Sequence, residues 1–197
     1  MNAPGGVVQL RNLTVHGNGA TFGISYQSGA QLLIENVKVY GFTQDCIRAF
    51  VQDDEGTDNL VIKDTSIENC TGCAINTSSL VGLNTVVINT HTSFTDGGLA
   101  ARGSSTSVYH STFSGTFSSS SERILKNGGV MILDDCLVSG WEQAVVVGIG
   151  GSIQLNGNTI TDNGTALVPS GGPIFSYGNN ALYANEANGS ATVVSLQ

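Results

Sequence analysis

A ten-residue phrase returns again and again along this chain, and that repetition limits its folds more than any other feature. Val8-Gln9-Leu10-Arg11-Asn12-Leu13-Thr14-Val15-His16-Gly17 is echoed by Leu32-Leu33-Ile34-Glu35-Asn36-Val37-Lys38-Val39-Tyr40-Gly41 and by Leu60-Val61-Ile62-Lys63-Asp64-Thr65-Ser66-Ile67-Glu68-Asn69. Anchored on its Asn-like position, the phrase recurs at Asn12, Asn36, Asp64, Asn89, His110, Asp135, Gly157 and Asn179, at intervals of 21 to 28 residues. Two positions before the anchor stand Leu10, Ile34, Ile62, Val87, Val108, Leu133, Leu155 and Tyr177; four before it stand Val8, Leu32, Leu60, Thr85, Thr106, Met131, Ile153 and Phe175. Apolar and polar residues thus alternate, which marks strands with one buried face. A second strand follows in most copies, as in Gly23-Ile24, Cys46-Ile47, Ala74-Ile75, Ala144-Val145 and Ala166-Leu167.

A unit of this length is too short for a helical crossover and cannot bury its own apolar face, so it must stack on its neighbours. Stacking like positions gives an all-β parallel β-helix, a single-stranded solenoid of about eight coils of 21–28 residues, with Leu, Ile and Val columns inside. The Asn/Asp anchors are expected to form a structural ladder. Gly17, Gly41, Asn69, Gly115, Gly140 and Asp162 close the phrase where the chain turns a corner, and positive φ is expected there. Insertions fall between phrases, at 51–57 and 118–122, where a solenoid tolerates loops.

Seven Lys plus Arg stand against fifteen Asp plus Glu, a net charge of −8 that opposes binding to nucleic acid or anionic membranes. No apolar stretch reaches the roughly 20 residues of a membrane span, and the first six residues carry no secretory signal. Cys46, Cys70, Cys73 and Cys136 are too few and scattered for a disulfide framework. Cys70 and Cys73 have a CxxC spacing without a second ligand pair, and read as small buried hydrophobes in a turn.

The phrases Val8 to Gly17, Gly23-Ile24-Ser25, Ser152 to Asn163 and the closing Phe175 to Asn180 resemble the right-handed parallel β-helix repeat proteins of the pectin-lyase-like superfamily, most of all bacterial members without an assigned activity. The resemblance spans nearly the whole chain. It implies a secreted or cell-envelope location, and one domain over residues 1–197 that forms the later part of a longer chain, with an unpaired edge at its first coil. It is specific for fold and not for chemistry, since the superfamily holds lyases, hydrolases, esterases, adhesins and tailspikes.

Lyases and hydrolases on this fold use carboxylates with a basic residue or a close carboxylate pair. The best local match is Asp45, Arg48, Asp53, Asp54, Glu55 and Asp58. In that reading Asp45, Asp53 and Asp54 hold calcium and Arg48 is the catalytic base of a calcium-assisted polysaccharide lyase. The plainer reading is a solvated acidic loop balanced by Arg48. The paired-Asp and Gly-His-Gly pattern of polygalacturonases is absent, as is the pectin methylesterase pattern. His16, His91 and His110 lie in different coils, which disfavours a shared metal. Arg11, Glu35 and Lys63 take equivalent outward positions with alternating sign and read as a weak surface ion-pair ladder. The preferred expectation is therefore a non-catalytic binding or structural module needing no cofactor, with an extended polysaccharide along a sheet face. A scaffold that self-associates through the edge near Val7 and Val8 is the third reading.

Overall fold

The computed structural model describes residues 1–52, 57–80, 82–116 and 123–195. Every secondary-structure element among them is a β-strand. The chain winds through three parallel sheets in turn, here A, B and C, of nine, eight and eight strands. Each coil contributes one strand to each sheet, so that coils 1 to 8 cover residues 2–26, 28–51, 58–79, 83–102, 105–127, 129–147, 151–169 and 174–189, and Thr192–Val193 closes sheet A. The expected parallel solenoid is the fold.

The repeat explains the stacking residue by residue. In sheet A, Val8, Leu32 and Leu60 are in register, followed by Thr85, Thr106, Met131 and Ile153. In sheet B, Val15, Val39, Ile67, Thr92, Phe113, Val138, Ile160 and Leu182 stack in the same way. From Leu32 and Val39 to Ile160 these inward side chains are buried, which gives each coil a core that only its neighbours can close.

The phrase itself is not one strand. Its anchor residues adopt left-handed backbone, with φ of 55° at Asn12, 53° at Asn36, 50° at Asp64, 46° at Asn89, 49° at His110 and 52° at Asp135, and this bends the chain from sheet A into sheet B. Asn, Asp and His are the non-glycine types that enter this region most readily. The expected ladder is present: Asn36 Nδ2 donates to Asn12 Oδ1 at 2.7 Å, and Asn89 Nδ2 to Asp64 Oδ1 at 2.7 Å. At the closing corner the expected positive φ occurs at Gly41, Asn69, Gly140 and Asp162, but Gly17 and Gly115 are needed for close approach instead. A Cβ on Gly17 would stand 2.4 Å from the Gly41 carbonyl oxygen, and one on Gly115 would stand 2.5 Å from the buried Trp141 ring. Coil 8 also departs from the repeat: Ile174 and Ser176, not Phe175 and Tyr177, align with the inward Ile153 and Leu155. The last phrase has one extra residue before its anchor, taken up at Gly178 with φ of 81°.

Two interior features were not expected. Cys46 and Cys70, in coils 2 and 3, form a disulfide with Cα atoms 5.8 Å apart, which corrects the reading of Cys70 as an unbridged hydrophobe; Cys73 and Cys136 are buried. Lys126 points inward and is fully buried, its ammonium donating to the Ser104 carbonyl. Burial with one described protein acceptor pushes its pKa down to about 8. Around this level the core turns polar, for the buried hydroxyls of Thr77, Thr85, Ser104 and Thr106 have no hydrogen-bond partner among the described residues.

Candidate functional site

Arg48 points outward from sheet C, between Ser25 and Asn76 of the neighbouring coils. Its guanidinium carbon lies 4.5 Å from the centre of the Phe22 ring and 4.0 Å from that of Phe50, so the cation is held by two aromatic faces. Asp45 is buried. One carboxylate oxygen accepts from the Cys73 backbone N–H at 3.0 Å, and the other from Asn76 Nδ2 at 2.9 Å. Asn76 Oδ1 in turn accepts from Arg102 at 2.9 Å. Asp45 thus ties coil 2 to coil 3, and a calcium ion would compete with those donors. Asp53 and Asp54 lie outside the described residues, among which no cluster of three His, Cys, Asp or Glu side chains could hold a metal. Asp45→Ala should strand the buried Cys73 N–H and lower stability by about 2 kcal/mol in calcium-free buffer, read as a fall in the urea midpoint.

The concave surface lies on another side of the solenoid. Where the anchors bend the chain from sheet A to sheet B, the outer face forms a shallow trough parallel to the coil axis. In coils 1 to 3 it is lined by Asn12, Asn36 and Asp64 with Thr14, Lys38 and Ser66. In coils 5 to 8 a concavity of about 430 Å³ is lined by His110, Asp135, Thr112, Leu137, Thr159 and Tyr183. Between them coil 4 supplies Asn89 and His91 at the same positions. The floor is narrow because a typical sheet-B strand is three residues long, as in His91–Ser93 and Thr112–Ser114, and only its first and third side chains face out. Hydroxyls dominate it: Thr14, Ser66, Ser93, Thr112, Ser114, Ser139 and Thr159.

Ionic groups along this trough are matched at close range. Lys38 Nζ stands 3.0 Å from Glu68 and Lys63 Nζ stands 3.5 Å from Asp64, while the His110 ring Nδ1 is within hydrogen-bond distance of Asp135, at 2.9 Å. The Ser66 hydroxyl, then the Lys38 ammonium, hold the Glu68 carboxyl below its usual range. On sheet A the expected ladder is seen as Arg11–Glu35 at 2.8 Å and Lys63–Glu35 at 3.3 Å. Paired this way, the charges give the trough little field of one sign with which to select an ion. At its coil 1 end the rings of His16 and Tyr40 stack at 4.5 Å, while Tyr183 at the far end is 56 % exposed.

Sequence reasoning identified the anchor column but treated it as structural, and drew no surface from the second column beside it, the outward Thr14, Lys38, Ser66, His91 and Thr112 of sheet B. The missing step is the left-handed bend, which sets the two columns at an angle and makes a trough of them. The model of the right-handed β-helix region family matches residues 2–117, more than half of the chain, which therefore belongs to that family. Comparison with curated proteins and with solved structures returns no match.

Proposed function

For this member of the right-handed β-helix family, we propose a non-catalytic binding module whose ligand is an extended, uncharged polysaccharide laid along the trough between sheets A and B. The observation that carries this reading is the trough itself, two shallow concavities in coils 1 to 3 and 5 to 8 that share one register through coil 4, with polar groups that repeat at the coil spacing of about 4.8 Å and lysines paired with Glu68 and Asp64. Such a spacing suits a chain of sugar rings that offers hydroxyls at a similar rise. A secreted or envelope location goes with it, since the Cys46–Cys70 disulfide fits an oxidising compartment.

Affinity electrophoresis through a panel of neutral and acidic polysaccharides tests this. Retardation is expected in a neutral glycan, and Thr112→Glu, an outward change in the floor, should weaken it at least about fivefold, the worth of one hydrogen-bonded contact. Arg48→Ala on sheet C should leave it unchanged. Absence of retardation by every glycan, or equal binding by Thr112→Glu, overturns the trough reading. Release of unsaturated sugar from an acidic glycan, lost in Arg48→Ala, would establish the lyase reading in its place.

A further inference from the structure

The corner from sheet B to sheet C is a left-handed position in many coils, with φ of 78° at Gly41, 53° at Asn69, 76° at Gly140, 55° at Asp162 and 54° at Ala184. In coil 4 the residue at this corner is Phe94, with φ of 52°. A bulky L-residue is strained in this region, and the usual compensation is burial of the side chain. Phe94 receives none: it is 69 % exposed. Neither the backbone nor the core accounts for a phenylalanine where glycine or asparagine would hold the chain at lower cost.

Its position suggests what the ring does. Phe94 directly follows the strand His91–Ser93, so it stands across the narrow floor from the coil 4 anchor, midway along the trough. Its counterparts in the coils on either side are Asn69 and Gly115. An exposed aromatic face bordering a floor of hydroxyls is complementary to a pyranose ring, which is apolar on its C–H face and polar at its rim.

We propose that Phe94 is a ligand-binding residue, the stacking platform for one pyranose ring of the bound glycan, whose rim hydroxyls meet Ser93 and Thr112. This rests on the trough reading. The test uses Phe94→Gly and Phe94→Trp with the neutral glycan that retards the wild type. Phe94→Gly should melt about 3 °C higher, because the strain is relieved, and should bind at least about fivefold more weakly. Phe94→Trp should keep wild-type affinity. Equal affinity in Phe94→Gly, or a lower melting temperature for it, overturns the proposal, the second because it would show that the ring holds the fold. Binding lost in Thr112→Glu but kept in Phe94→Gly defeats the platform alone, whereas a wild type that binds no glycan defeats the platform and the trough together.

Discussion

Between about pH 8 and pH 9 the protein is expected to gain about 0.6 kcal/mol of stability, and Lys126→Met is expected to abolish that gain. The folded-state pKa of Lys126 is pushed down to about 8 from 10.5, so between these values the unfolded chain binds a proton that the folded chain has released. Raising the pH therefore favours the folded state, and the contribution is complete only above the unfolded pKa. Carried through alone, the rise would total roughly 3 kcal/mol. It does not run alone, because burial pushes the Cys136 thiol up to about 11 from 9.0. Between pH 9 and 11 the unfolded thiol ionises while the folded one does not, and stability falls with the same slope. The two slopes cancel from about pH 9 to 10, above which the Tyr26 hydroxyl, held well above its usual 10.0 chiefly by burial, adds to the loss, which predicts a rise, a plateau and then a fall. Urea midpoints measured from pH 7 to 11 on wild type, Lys126→Met and Cys136→Ala separate the terms: the first variant should lose the rise, and the second should extend it past pH 9. A flat wild-type profile between pH 8 and 9 would show that the Lys126 ammonium reaches water.

Lys126 also shows how far a sequence of this kind can be read. Period two counted from the inward Ile124 places residue 126 inside, so the signal was available, but a lone charged residue in a short strand invites the opposite reading. The solenoid was legible because one error in one copy cannot undo columns supported by many others. Its left-handed anchors were legible in principle too, for Asn, Asp and His are the types that tolerate that backbone, yet the same residues also serve a side-chain ladder and one explanation concealed the other. The trough was not legible. It arises from the angle between two columns, and an angle is a property of the folded corner that no single copy of the phrase contains.

The disulfide offers the larger test of the coil-by-coil construction. Cys46 and Cys70 are 24 residues apart, four short of the 28-residue register between coils 2 and 3, which sets Cys70 beside Phe42 and Ile47 beside Ile75, so the pair closes diagonally across the corner between sheets B and C with Cα atoms 5.8 Å apart. Closing a loop of that size in the unfolded chain is worth about 3.5 kcal/mol in the chain-entropy account. In a protein of this length that corresponds to roughly 10 °C of melting temperature. In a solenoid each coil is held only by its neighbours, so the loss on reduction should fall first on coils 2 and 3 rather than on the whole fold. Both sulfurs belong to buried residues, and a reductant reaches them only when those coils open. The measurement is therefore made after equilibration with dithiothreitol through a denaturation and refolding cycle. Wild type should then melt about 10 °C lower, and hydrogen exchange should quicken in residues 28–79 before it does in coils 6 and 7. Cys46→Ala/Cys70→Ala should reproduce the lower melting temperature and ignore the reductant, whereas Cys136→Ala should keep the full response to it. If reduction leaves the melting temperature in place, the cross-link contributes nothing and its inference of an oxidising compartment falls with it. If exchange quickens uniformly along the chain, the coils unfold as one unit and the solenoid is more cooperative than nearest-neighbour packing allows.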